Sequence, residues 1–365
     1  MKKRCLEMAA AIFFAALLVV QSGCSSVGPK KMHTDRANYN TAITESWKQQ
    51  VLLNIVKIRY VEPLFFVDIG DIVAGYTLET AASADFTRSL FDIASSGDSS
   101  VLELGLSARY IDRPTITYKP MTGAPFRKAV LSPIPIRNVM LGLDSGISAE
   151  FLVSLGVRSI NGLRNGSMFP RDHQSAAKEF RRAVEILSQL QLANAVHVRS
   201  DPPQNLGEPN IFLCLGGIEP SAEATRLVSE LRTLLNLDPA VDEYEVVGGP
   251  YTRNRKQIAL QAYSLMQIMG AVAARVDIPE EDIVSRCAIS GMPETSSQGP
   301  SSRIAVRSST QCPEKAFAKV KFHDHWFWVD DRDLHTKRVF SFLMLAFTLM
   351  EQDAGSRPLV TIPIQ

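Results

Sequence analysis

Ala316-Phe317-Ala318-Lys319-Val320-Lys321-Phe322-His323-Asp324-His325-Trp326-Phe327-Trp328-Val329-Asp330-Asp331-Arg332-Asp333-Leu334 is the stretch whose reading decides the fold. Residues 316–322 and 326–329 have the apolar, aromatic and β-branched content of strands, with a polar hairpin between them. The run from Leu334 to Met350 then reads as a helix, so strand, strand and helix follow one another directly. Elsewhere helices and strands also mix without a regular βαβ rhythm. That pattern predicts an α+β fold, with a mixed, largely antiparallel sheet packed against several amphipathic helices.

Working outward, Tyr39, Ile43, Trp47, Val51, Ile55 and Ile58 recur at helical spacing. They predict a long helix that is capped by Asp35 and ended by Pro63. Residues 64–76 read equally as strand or short helix, and 77–100 are unassigned. From Val101 the period becomes two: Leu102, Leu104, Leu106 and Ala108 alternate with Glu103, Gly105, Ser107 and Arg109. After Pro114, Ile116 and Tyr118 alternate with threonines, which makes strand, turn and strand. Helices are expected near 138–143, 149–155, 172–192, 221–235 and 258–275, and strands at 195–198, 211–215, 243–247 and 304–306. Asn161-Gly162 and Asn165-Gly166 are turn signals. Residues 290–302 have the composition of a flexible insert. The expected division is a segment 1–23, a tether 24–34, an N-terminal α+β region 35–170 and a C-terminal α+β region 171–365.

The N-terminus places the protein in the cell. Lys2, Lys3 and Arg4 precede an uncharged stretch from Met8 to Val20, then Gln21-Ser22-Gly23-Cys24. This is the layout of a secretory signal removed in front of a cysteine. It resembles the lipobox of bacterial lipoproteins, with Gln21 standing where that motif usually carries Leu. The resemblance implies that Cys24 is diacylated, with palmitate-type chains, and anchors the mature protein. Thirteen apolar positions are too few for a helix across a bilayer, which needs about 20. No second apolar run approaches that length, so the lipid is expected to be the only membrane anchor. Ser25 stands where Asp would favour inner-membrane retention, and this predicts the outer membrane, facing the periplasm.

Removing residues 1–23, which carry Lys2, Lys3, Arg4 and Glu7, leaves 342 residues with 36 basic and 37 acidic side chains. A net charge near zero offers no electrostatic case for nucleic acid. The hydrophobic fraction of 45% is that of a chain with a real core. Beyond Cys5 and Cys24, three cysteines remain. Cys287 and Cys312 flank the Ser/Gly/Pro-rich insert and are the expected disulfide in an oxidising compartment. Cys214, inside the apolar run 211–215, reads as a small buried hydrophobe.

Several clusters invite chemistry. His323 and His325, two apart in a strand, would share a face and could reach one metal, although no third ligand is evident. Asp330, Asp331 and Asp333 could serve acid–base chemistry, but they suit the first turn of the helix at Leu334, and capping is the preferred reading. Ser175 and Lys178 match a two-residue fragment of the penicillin-binding motif without its companion elements. Gly216-Gly217 before a helix could seat a phosphate, but reads as a tight turn. No catalytic residue, metal ligand or cofactor is assigned. The final helix is apolar nearly all round. Burial in its own domain is the default for such a helix, and a partner surface is the second reading.

Two blocks, Asp35-Arg36-x-x-Tyr39-Asn40 leading into residues 52–60 and Trp326–Leu334 leading into Lys337-Arg338-Val339-Phe340, stand with Pro114–Tyr118 and Ile160-Asn161-Gly162 between them. With these the chain resembles an uncharacterised family of predicted bacterial envelope lipoproteins from about residue 35 onward. The resemblance implies an anchored envelope protein and carries over no catalytic residues. The expected function is therefore a scaffolding or accessory role in an envelope assembly, with a protein partner in the envelope. The alternative is an envelope hydrolase or metal-dependent enzyme using residues 323–333.

Overall fold

The computed structural model describes residues 27–73, 76–87, 101–112, 115–165, 178–202, 209–217, 220–291 and 304–351. The expected signal segment, Cys24 and Ser175 lie outside these residues, as does the expected insert from 292 onward. The chain forms two compact units, one of residues 1–44 and 67–119, the other of residues 45–66 and 120–365.

Helix α1 (Val27–Arg59) starts earlier than expected, inside the segment read as a tether. Asp35 is therefore an interior residue and not the cap. Gly28 and Pro29 do not prevent this, because the first turn has no intrahelical N–H bonds for proline to remove. Four strands lie wholly or mainly in the first unit: β1 (Phe66–Val73), β2 (Tyr76–Thr87), β3 (Val101–Asp112) and β4 (Thr115–Met121). Residues 101–108 and 115–119 are strands as expected, but they do not pair with each other. β4 pairs with β1, and β3 pairs with β2 over their full length.

In the second unit, the short α2 (Gly123–Phe126) runs into a π-helical turn over Arg127–Leu131, followed by α3 (Ile136–Asp144) and α4 (Ala149–Gly156). A six-stranded sheet comes next, with β5 (Val157–Ile160), β6 (Leu163–Arg164), β7 (Val196–Asp201), β8 (Asn210–Leu215), β9 (Glu243–Gly248) and β10 (Gln257–Ala262) in the order β6-β5-β10-β9-β8-β7. Only the β9–β10 pair of this sheet is parallel. Helices α5 (Lys178–Leu192) and α6 (Ala222–Leu234) accompany it, burying Phe180, Ile186 and Leu190 from the one and Leu227 and Leu231 from the other. Asn161 and Gly162, both at positive φ, make the tight β5–β6 turn that their sequence signalled.

Two expectations fail here. The boundary near 170 does not divide the molecule, because β5 pairs with β10 across it. Residues 258–275 are not one helix either. Ile258, Leu260 and Ala262 belong to β10, and Ser264 then starts α7 (Leu265–Ala273) with a capping box closed by Gln267. Apolar residues run through both elements, so helical spacing could be read across the cap.

The remaining elements are α8 (Glu280–Val284), a three-stranded antiparallel sheet of β11 (Arg307–Ser309), β12 (Ala318–Phe322) and β13 (His325–Val329), and α9 (Leu334–Glu351). α9 lies in the core: Val339, Phe340, Leu343, Ala346, Phe347 and Met350 are all buried. The α+β reading holds, with largely antiparallel sheets.

Candidate functional site

The chemistry-bearing residues gather where the end of α1 meets α8 and the β12–β13 hairpin. α1 delivers Arg59 and Tyr60 there because its apolar face is fixed in the core by Val51, Leu52, Ile55 and Val56, all fully buried. Asn54 then turns the chain back. Its side chain donates to the Phe65 carbonyl and accepts from the Phe65 amide, each at 2.9 Å.

Arg59 is buried, and its guanidinium donates to the carbonyls of Ala273 at 2.8 Å, Val276 at 3.0 Å and Ile289 at 2.6 Å. Ala273 and Val276 stand at and just past the end of α7, where the helix dipole concentrates partial negative charge. Burial draws the Arg59 pKa down, and Tyr60 and Asp277 oppose that. Tyr60 donates its hydroxyl to Asp282 Oδ2 at 2.6 Å. Burial first, and then this carboxylate, push the phenol pKa well above its usual value. The Tyr60 ring meets Phe322 edge-on at 5.0 Å and also packs against His323 and Phe327.

His323 and His325 do not share a face. His323 sits in the hairpin turn with φ 49°, which breaks the strand alternation on which a joint metal site depended. Its Nε2 lies 3.6 Å from Glu62, whereas His325 Nε2 lies 3.4 Å from Glu281. Among the described residues no three His, Cys, Asp or Glu side chains converge as a metal site would require.

The three aspartates are likewise separated by task. Asp330 accepts from the Arg332 amide at 2.9 Å. Asp331 pairs with Lys337 at 2.8 Å, and this bond holds its carboxyl below the usual range. Asp333 Oδ1 accepts from the Thr336 amide at 3.0 Å, and this is the expected cap of α9.

Cys287 and Cys312 stand as free, exposed thiols, so the expected disulfide is not made in this structure. The Cys312 sulfur lies 3.4 Å from Lys319 Nζ, beside the start of β12. Cys287 follows α8, whose contact with the hairpin, through Asp282 and Tyr60, is at the Phe322 end. A disulfide needs the two Cβ atoms within about 4.5 Å. Cys214 is half-buried and not a core residue: its register neighbours are His197 and Glu243, and burial raises its thiol pKa. Ser221 caps α6 through the Ala224 amide at 3.1 Å, and Gly216 turns at φ 106°, in keeping with the tight-turn reading.

Sequence reasoning missed Arg59, Tyr60, Glu281 and Asp282 as a set. The only advance signal was an arginine and a tyrosine closing an otherwise apolar helical stripe. The arrangement is a latch: each polar group has a partner within it, and it joins α1, α7, α8 and the hairpin.

What the fold and the latch define is an α+β protein whose polar clusters hold elements together. Compared with models of known families, with curated proteins and with solved structures, the chain has no match. The likeness to envelope lipoproteins rests on the quoted residues alone. No helix among the described residues is long and apolar enough to cross a membrane.

Proposed function

We propose that this chain is a bacterial envelope lipoprotein, anchored through Cys24, with a scaffolding or accessory role in a cell-envelope assembly. The observation that carries it is Gln21-Ser22-Gly23-Cys24 behind a basic start and a short apolar run. The near-zero net charge agrees with a protein partner better than with nucleic acid. The engagement of Asp330, Asp331 and Asp333 in local structure favours an accessory role over hydrolysis. The apolar character of α9 lends little support to a partner surface, since Val339, Phe340, Phe342, Leu343, Phe347 and Met350 are buried and, of its large apolar residues, only Leu334 and Leu345 are exposed.

Growth with a labelled fatty acid tests the anchor. The native chain should carry label and fractionate with the outer membrane. Cys24→Ala should lose the label and appear in the soluble fraction. Unlabelled native protein, or recovery of the native protein with the inner membrane, would count against the corresponding part of the proposal.

A further inference from the structure

The β2–β3 ribbon has a property that neither strand shows alone. Each strand is 12 residues long, and they pair antiparallel without a break from Tyr76↔Asp112 to Thr87↔Val101. Successive residues of a strand belong to opposite faces. The register therefore places Leu78, Thr80, Ala82, Ala84 and Phe86 on one face, opposite Tyr110, Ala108, Leu106, Leu104 and Leu102. That face carries no charge between positions 78 and 86 or between 102 and 110. Asp112, opposite Tyr76 at the foot, is the one charge on that face; Glu79, Asp85, Glu103 and Arg109 fall on the other, with Thr77, Ser83, Thr87 and Ser107 and the uncharged Ala81, Val101, Gly105 and Ile111. Aromatic residues stand at both ends of the apolar face, Tyr76 and Tyr110 at the foot and Phe86 towards the tip.

A rise of about 3.4 Å per residue makes each strand roughly 40 Å long, or roughly 29 Å of depth at a tilt of about 45°. The hydrocarbon core of a bilayer is about 30 Å thick, and strands of about 9–11 residues span it. Alternation of lipid-facing apolar and inward polar residues, with aromatic residues at the two interfaces, is the pattern of a membrane β-strand. A two-stranded ribbon is marginal in water. Among the described residues no further strand hydrogen-bonds to β2 or β3. In lipid such open edges are not tolerated, and only a closed barrel satisfies them.

We infer that β2 and β3 form a membrane-inserting hairpin. Its apolar face takes lipid acyl chains, and its edges pair with the same hairpin of further copies of this chain to close a barrel with a polar lumen. Each copy supplies two strands, so a barrel of roughly eight strands or more takes about four copies or more. This goes beyond a lipid anchor, which would hold the protein on the surface only.

The test uses the full acylated chain carrying Cys214→Ser, Cys287→Ser and Cys312→Ser, with one cysteine at a time placed at positions 102–107 and labelled with an environment-sensitive fluorophore. It is bound to phosphatidylethanolamine–phosphatidylglycerol vesicles whose acyl chains carry a quencher. Quenching at 102, 104 and 106 but not at 103, 105 and 107 is the expected result. Vesicle-bound protein with no quenching, or with equal quenching at both sets, overturns the hairpin while leaving the anchor intact. In planar bilayers the native chain should give discrete conductance steps. Leu104→Arg should abolish them, and Ser83→Arg should keep them while shifting selectivity towards anions. Alternating quenching without conductance would overturn the closed barrel.

Discussion

At the scale of single residues, the polar side chains that look most chemical in the sequence serve local structure. Asp333 is the clearest case. Its carboxylate accepts the Thr336 amide and so satisfies one of the free donors in the first turn of α9. Asp333→Ala should lower stability by roughly 0.5–2 kcal/mol, whereas Asp333→Asn keeps an accepting oxygen and should retain most of it. Denaturant titration of both variants checks the ordering; equal losses would mean that the side-chain oxygen is not the source of the effect. The cap was legible because Asp333 stands directly before Leu334, where the last helical run begins. Arg59 was not, because its partners Ala273, Val276 and Ile289 lie more than two hundred positions away and offer main-chain carbonyls, which leave no trace in side-chain identity.

At the scale of elements, α9 separates two readings of one apolar sequence. Phe340 and Leu343 are fully buried, while Leu345 is 44% exposed. Phe340→Ala should cost about 3–5 kcal/mol through lost burial and a cavity. Leu345→Ala should cost less than about 1 kcal/mol, since nearly half of that residue is still in water and its removal leaves no closed cavity. Thermal and denaturant melts distinguish this from a partner face, for which the two costs would be similar and small. The β2–β3 ribbon shows the opposite problem. An apolar run can be counted along one strand, but the apolar face of the ribbon appears only when the register aligns two strands whose first residues are 25 positions apart. Counting apolar runs overlooks such a face because charged and hydroxyl residues such as Glu79, Ser83, Asp85, Glu103, Ser107 and Arg109 interrupt the run along each strand.

At the scale of the whole molecule, the second unit takes residues from both sides of the boundary expected near 170. Residues 45–66 contribute the buried end of α1, and β5 pairs with β10. A fragment of residues 171–365 alone would leave one side of β10 unpaired and Arg59 missing from the end of α7. It should therefore show no cooperative thermal transition by circular dichroism, whereas the full chain, which contains residues 45–66 and β5, should show one. A sharp transition in the fragment would re-establish the sequence-based boundary.

The order of periodic segments was enough to determine the α+β class, most of the helices and strands and the cap of α9, because each depends on neighbours a few residues apart. The partners of β3 and β4 and the separation of His323 from His325 were decided by the tertiary structure. Each of these depends on which distant backbone supplies hydrogen bonds or on a single residue at positive φ, and neither is recorded in the spacing of apolar residues. Flanking one loop in sequence was likewise not enough to pair Cys287 with Cys312, which stand as free, exposed thiols in the structure.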